Sequence, residues 1–291
     1  MITLWLALAL LAIGLYGSSQ VAQKFALNSL TAPNMIFLSI VQLPIYFVCL
    51  APFLVTGLIW SLQLAAFVLG LVAATFGQLG YYAYVEAAER GPISIVGSVT
   101  AAYPVMVIVV AILFFRESPT VTQLGGALLI TCSIIALSYV HGEAEKKRPA
   151  TRSFLFICIV SLLLWGMWAI FTKMTLDRIH PLLFLGIYGL IIPPTAVGYY
   201  KLKRLGIRES IPRWSVPLII AITATMVANI AFFAEINAVS LGPASVVFPL
   251  VASSPLVVVL LAYSFLKERL SWIEWAFVAL VIVGIVMVST A

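Results

Sequence analysis

Charge is scarce in this sequence, and the scarcity decides its class. Only 9% of the 291 residues are Asp, Glu, Lys or Arg, whereas 63% are apolar. Soluble domains carry roughly 25% charged and 45–50% apolar residues. So few charges cannot cover a water-facing surface, so lipid must be the solvent for most of it. Histidine is equally thin: His141 and His180 both fall in loops. The three cysteines, Cys49, Cys132 and Cys158, sit singly inside apolar stretches, which excludes a paired disulfide or metal framework and makes them small apolar residues. No HExxH or paired-carboxylate motif occurs in a span, and no Gly-rich loop precedes a Lys-Ser/Thr. Gly17-Ser18-Ser19 has the look of a hydrolase nucleophile, but no intramembrane histidine could act as its base. These absences argue against an enzyme and leave no call for a cofactor or metal.

What is present is apolar length. A membrane-crossing helix needs about 20 mostly apolar residues, and such stretches recur from end to end. The sequence predicts ten spans, at approximately 2–23, 34–56, 62–85, 93–114, 121–140, 153–174, 181–200, 215–239, 244–264 and 272–290. The first, with no Lys or Arg ahead of it, reads as a retained span rather than a secretory signal. Turn residues punctuate the breaks, among them Gly91-Pro92, Ser118-Pro119, His180-Pro181 and Gly242-Pro243. Proline there fixes φ and removes a donor that a new helix start does not need. A β-barrel would need short alternating strands. The expected fold is therefore an all-α integral membrane protein.

The longest polar stretch, His141 to Arg152, falls near the midpoint, and the two sides resemble each other. Gly91-Pro92, Pro104 and Arg116-Glu117 recur as Gly242-Pro243, Pro255 and Lys267-Glu268, each displaced by 151 residues. Tyr16-Gly17 and Lys24 recur as Trp165-Gly166 and Lys173, displaced by 149. The expectation is two five-helix repeats, 1–142 and 153–291, joined by a polar linker at 143–152. Because five is odd, the second repeat enters the membrane in the opposite sense, as an inverted repeat.

The formal charge of +6 reflects orientation rather than nucleic-acid binding. Loops after odd-numbered spans hold 13 of the 16 basic residues, leaving Arg116, Lys173 and Arg178 on the other side. Positive charge favours the cytoplasm, so the count puts both termini outside.

Polar residues inside spans are the candidates for function. A charged side chain in hydrocarbon costs about 2.5–3.5 kcal/mol on insertion scales, so it should face the bundle interior or water. Glu235 lies in span eight, about two turns before Gly242-Pro243, and is a candidate for proton coupling or cation binding. Glu86 precedes Glu89-Arg90 and suits an ion pair near the interface. Lys24 and Lys173 close spans one and six, where a lysine can snorkel or complement the helix dipole. Lys173, on the side poor in positive charge, also points to a local partner.

Gln78 and Tyr82 are four apart on span three and share a face. Tyr103-Pro104 lies in span four, with Asn229 and Ser254-Pro255 in spans eight and nine. Tyr16, Trp165 and Trp168 add broad amphipathic surfaces. Prolines inside spans four and nine free carbonyls that are tolerated where they line a cavity. Together these residues suit a site for amphipathic organic solutes, whereas Trp5, Trp60, Trp214, Trp272 and Trp275 fit an interfacial belt.

On Tyr16-Gly17-Ser18 through Lys24, Gly91-Pro92, Pro104, Arg116-Glu117 and their second copies, the chain resembles the drug/metabolite transporter superfamily, specifically its ten-helix members with two EamA-type repeats. The resemblance covers essentially the whole chain. It implies export or exchange of metabolites, often amino acids, through a cavity formed mainly by helices one, three, four, six, eight and nine. On that basis Tyr82, Tyr103, Trp165 and Ser254 are lining residues. Such relatives are described with both termini in the cytoplasm, opposite to the charge count here.

The expected partners are a small solute and the bilayer, with a proton as possible coupling ion and a monomer or homodimer as the assembly. The simplest location is a prokaryotic inner membrane. The alternatives are an exporter of lipophilic organic cations and a non-transporting scaffold.

Overall fold

In the computed structural model, residues 3–27, 29–90, 96, 99–143, 152–206, 211–266 and 271–290 are described. Gly91-Pro92, the linker from residue 144 to 151 and the turn Lys267–Arg269 lie outside them, as does the side chain of Lys24.

The described residues form helices joined by turns and short loops, with no strand among them. The helices are α1 (Leu4–Leu27), α2 (Ala32–Val41), α3 (Leu43–Val55), α4 (Leu64–Arg90), α5 (Tyr103–Leu113), α6 (Val121–Glu143), α7 (Arg152–Leu176), α8 (Pro181–Lys203), α9 (Val216–Leu241), α10 (Ala244–Val251), α11 (Ser254–Leu266) and α12 (Trp272–Thr290). Among the described residues, eight helical stretches are long and apolar enough to cross a membrane, and two shorter apolar helices, Tyr103–Leu113 and Val121–Leu137, stand where spans four and five were expected. The surface is apolar where a soluble protein's would be charged. Val48, Val55, Val121 and Phe156 are 66–90% exposed, a pattern that only lipid accommodates. Cys132 also faces outward, unlike buried Cys158, because an apolar side chain loses nothing by facing lipid.

Three expected spans are broken rather than continuous. The second stops at Gln42, two residues before Pro44. The ninth stops at Ala252-Ser253, just before Ser254-Pro255, and the fourth turns at Ala101-Ala102, just before Tyr103-Pro104. At these turns the backbone closes three-residue bonds, from Ile45 to Gln42, Ala102 to Val99 and Ser253 to Leu250. Proline supplies no amide to continue the helical ladder, so each break leaves carbonyls that a membrane tolerates only facing protein or a wet cavity.

Helix starts carry their own caps. His180 Nδ1 accepts from Leu182 N at 3.2 Å, and Ser215 Oγ accepts from Leu218 N at 3.4 Å. The start of α10 is capped from a distance: Glu117 accepts from Ala244 N at 2.9 Å, Ser245 N at 3.0 Å and Ser245 Oγ at 2.6 Å. A carboxylate there satisfies amides that have no helical partner and meets the positive end of the helix dipole.

Helix α1 packs along α9, α4 along α7, and α6 along α12, with further contacts of α3 on α8 and α5 on α10. Glycines set the close approaches. A Cβ on Gly17 would lie 2.4 Å from Val257 Cβ, and one on Gly166 would lie 2.7 Å from Met106 Sδ. Between α6 and α12 the backbones nearly touch, since a Cβ on Gly126 would meet Gly284 O at 2.8 Å and one on Gly284 would meet Gly126 O at 2.9 Å. Small residues of this kind let membrane helices gain van der Waals contact where no hydrophobic force separates them from lipid.

Candidate functional site

A cavity of about 300 Å³ lies at the level of the three helix breaks. Its walls come from α1, α4, α7, α9 and the breaks themselves, which contribute Gln42, Ala101 and Ala252. Tyr16, Gln78, Tyr103, Trp165, Trp168, Asn229, Ser254 and Glu235, all singled out in the sequence, line it together.

Glu235 is the only charged side chain among the described lining residues, and it is 3% exposed. Tyr16 donates its hydroxyl to Glu235 Oε2 at 2.8 Å, joining α1 to α9. Tyr103 and Tyr188 lie within electrostatic reach of the same carboxylate. Aromatic rings close the wall beside it. Trp168 meets Phe248 edge-on at 5.6 Å between centroids, and Tyr188 meets Phe232 at 5.0 Å.

From Glu235 the wall continues through Ser19, Gln20 and Gln23 on α1, Tyr81 and Tyr84 on α4, and Thr225 on α9, toward the face that carries the basic loops. Polar pairs brace this route. Gln20 Nε2 donates to Ser254 Oγ at 3.2 Å, Gln23 Nε2 to Ser19 Oγ at 3.1 Å, and Asn229 Nδ2 to Gln42 Oε1 at 2.6 Å. Trp165 stacks on Tyr84 with centroids 5.3 Å apart, and its ring lies where a Cβ on Gly80 would come within 2.5 Å.

Two donors in this wall have no partner among the described residues: Gln78 Nε2 and Trp168 Nε1. Both residues are buried, at 3% and 8% exposure. The Trp168 ring and the Tyr188 hydroxyl reach α4 at Gly77, which has no side chain. A Cβ there would lie 2.7 Å from Trp168 Cδ1 and 2.6 Å from the Tyr188 hydroxyl.

The other residues picked from the sequence lie elsewhere. Tyr82 is buried against Ile36, Ala196 and Tyr200 outside the cavity, its hydroxyl 3.4 Å from Thr195 Oγ1. Its neighbours Tyr81 and Tyr84 take the lining positions instead. Glu86 sits at the end of α4 in an ion cluster, 2.5 Å from Arg90 and 2.7 Å from Lys203, and accepts from the Tyr199 hydroxyl at 2.5 Å. Lys173 pairs with Asp177 at 2.9 Å, one turn on.

Gln42, Tyr46, Tyr188 and the Ser19-Gln20-Gln23 face of α1 were not singled out from the sequence. A glutamine two residues before Pro44 inside an apolar run, and three polar residues within five on one span, were the available signals. Among the described residues no group of three or more His, Cys, Asp or Glu side chains could hold a metal ion.

An apolar-surfaced helical bundle enclosing a polar, aromatic-walled cavity defines a multi-pass integral membrane protein that handles a small molecule inside the bilayer. Residues 3–139 and 152–290 match the EamA-like transporter family, and the chain belongs to it. It is a small-molecule membrane transporter of the drug/metabolite transporter superfamily and not an enzyme. It shares its fold with a protein of known crystal structure at 15% sequence identity, with a TM-score of 0.76 covering 98% of this chain and 96% of that one. No curated protein matches the chain.

Proposed function

We propose that this chain is a secondary transporter that exports or exchanges small amphipathic metabolites, amino acids among them, by alternating access between two inverted five-helix repeats. The observation that carries this reading is Glu235, a lone carboxylate at the wall of a solute-sized aromatic cavity and bonded to Tyr16. Burying a charge at this depth is expensive, and ordinary helix packing does not require it.

The packing pattern supports the repeats. Numbering the spans one to ten, the contact of one with eight has its counterpart in six with three. The contacts of two with seven, four with nine and five with ten map onto themselves. Gly17 against Val257 and Gly166 against Met106 are counterparts too, at the displacements of 149 and 151 residues. Two equivalent halves can exchange conformations around one site. With the basic loops in the cytoplasm of a prokaryotic inner membrane, the cavity runs toward the side from which an exporter loads.

Glu235 with its aromatic surroundings also suits an organic cation, and an exporter of lipophilic cations is the second reading. Counterflow of labelled amino acids and organic cations in proteoliposomes, with and without a proton gradient, tests both. Saturable amino-acid accumulation that the gradient drives, and that Glu235→Gln uncouples, supports the first reading. Exchange indifferent to the gradient in the wild type removes the proton-coupling role. Accumulation of cations alone moves the assignment to the second reading.

A further inference from the structure

The cavity runs toward the face of the basic loops, and in the other direction its lining stops at α10. Val251 and Ala252 line it, whereas no residue from 244 to 250 does. From there α10 extends toward the Gly242-Pro243 turn on the opposite face, about 12 Å at 1.5 Å per residue. All of its residues are buried. Phe248 stands directly behind the cavity wall, edge-on to Trp168 at 5.6 Å and to Tyr103 at 6.3 Å between centroids. It belongs to one apolar cluster with Ile236, Val239, Val246 and Val247, and none of the five has exposed surface. Packing of this density leaves no passage, so a solute that leaves by that face must displace α10.

The short helix is a separable unit. The turn at Ala252-Ser253 parts it from α11, and Gly242-Pro243 parts it from α9. Its outer end is fastened from far along the chain. The N-cap residue is Pro243, which has no side-chain cap to offer, unlike Ser215 and His180 at their own helices. The acceptor is instead Glu117, 127 residues away between α5 and α6, which takes both free amides and the Ser245 hydroxyl. The turn that carries it is specially shaped. Arg116 adopts a left-handed conformation, at φ 55°, that residues with a side chain seldom take, and Glu117 N donates to Ala111 O at 3.1 Å.

We propose that α10 is the gate on the face opposite the basic loops and that Glu117 is the residue that latches it shut. A cap built into the helix would travel with it, whereas one lent by another element can be let go. Release of Ala244 and Ser245 frees the outer end of α10 to swing about Ala252-Ser253, and the cavity then opens to the far face. This rests on the transporter reading above and adds to it the element that moves.

Thiol accessibility from each face tests the proposal. Val247→Cys reports on the packed helix and Ala252→Cys on the cavity wall. Each is labelled with a membrane-impermeant maleimide in vesicles of either orientation, above the signal of native Cys49, Cys132 and Cys158. With Glu117 in place, Ala252→Cys is expected to react from the basic-loop face and Val247→Cys to resist from both. Adding Glu117→Ala is expected to raise labelling of both positions from the opposite face by about tenfold or more, the worth of one hydrogen bond to a charged group. Labelling from the basic-loop face is expected not to rise. Ser245→Ala removes one bond and keeps both capped amides, so a smaller rise on the same face is expected. That variant carries the test if Glu117→Ala does not fold.

A cap that served stability alone would lower the melting temperature without this sidedness. Unchanged far-face labelling in folded Glu117→Ala protein, or an equal rise from both faces, overturns the latch. Counterflow by the wild-type protein in proteoliposomes separates the two readings. Flux of any solute beside a failed latch leaves the transporter reading standing, with its far-side exit elsewhere. No flux of any solute, from protein shown to be folded and inserted, overturns both.

Discussion

Tyr16 and Glu235 are 219 residues apart in the chain and 2.8 Å apart in space. Their counterparts at displacements of 149 and 151 residues are Trp165 and Tyr84, which stack with centroids 5.3 Å apart. The same two positions are thus in contact twice, each time across the two halves of the sequence, once as a hydrogen bond to a carboxylate and once as two stacked rings. Under the proposed repeats the position is kept while the chemistry differs: one of the two contacts carries a carboxylate and the other only rings.

Tyr16→Phe removes the donor and leaves the buried Glu235 oxygen without it. A hydrogen bond to a charged group contributes about 1.5–3 kcal/mol, so solute affinity is expected to fall by about tenfold or more, with folding retained. Binding or counterflow of the purified variant checks this. Wild-type affinity would mean that the bond plays no part in the site.

Gly80→Ala would put a methyl group 2.5 Å from the Trp165 ring. The ring must then move off α4 into the cavity, reducing the room for a solute. Loss of affinity is expected to be greatest for bulky solutes and small for compact ones. A uniform loss across solute sizes would instead indicate a folding defect, which the melting temperature would reveal.

Glu117→Ala strips the cap from α10 and leaves two backbone amides and a hydroxyl without their acceptor. Loss of an N-terminal cap costs about 0.5–2 kcal/mol. A lowered melting temperature in detergent is expected, with Glu117→Gln intermediate because it keeps an acceptor but not the charge. Equal stability of Ala and wild type would argue that lipid or water replaces the cap.

Gly284→Ala would press a methyl group onto the Gly126 carbonyl oxygen at 2.9 Å and Ile130 Cγ1 at 2.7 Å. One obstacle is backbone, so relief requires helices α6 and α12 to separate. Overpacking of this kind costs about 1–3 kcal/mol, measurable as a lower midpoint of thermal unfolding. An unchanged midpoint would show that this helix pair has slack.

Much of the fold was legible because lipid imposes a length rule that apolar runs report directly. The proposed duplication rests on Gly-Pro turns and mid-span prolines that recur at fixed displacements. The partner of Lys173 could be read as Asp177, one helical turn away. What escaped was set by tertiary packing. Of the tyrosines at 81, 82 and 84, the one chosen on spacing turns away from the cavity because Thr195 and Tyr199 of α8 stand beside it. The break at Gln42 was hidden because a proline in an apolar run marks a first turn as readily as an interruption. The place of the Trp168 ring exists only once α7 lies on α4 at Gly77.

The ion cluster of Glu86 with Arg90, Lys203 and Tyr199 has a bearing on energetics. At the corresponding displacements the other half offers Asn237, Leu241, Leu54 and Leu50, none of them charged. A carrier with interchangeable halves would hold its two orientations at equal free energy and divide its time evenly between them. An ion-paired clasp on one face alone lifts that degeneracy. In the proposed alternating-access cycle the empty carrier would then have a resting orientation written into its own chain, whereas the direction of net flow would still be set by the gradients across the membrane.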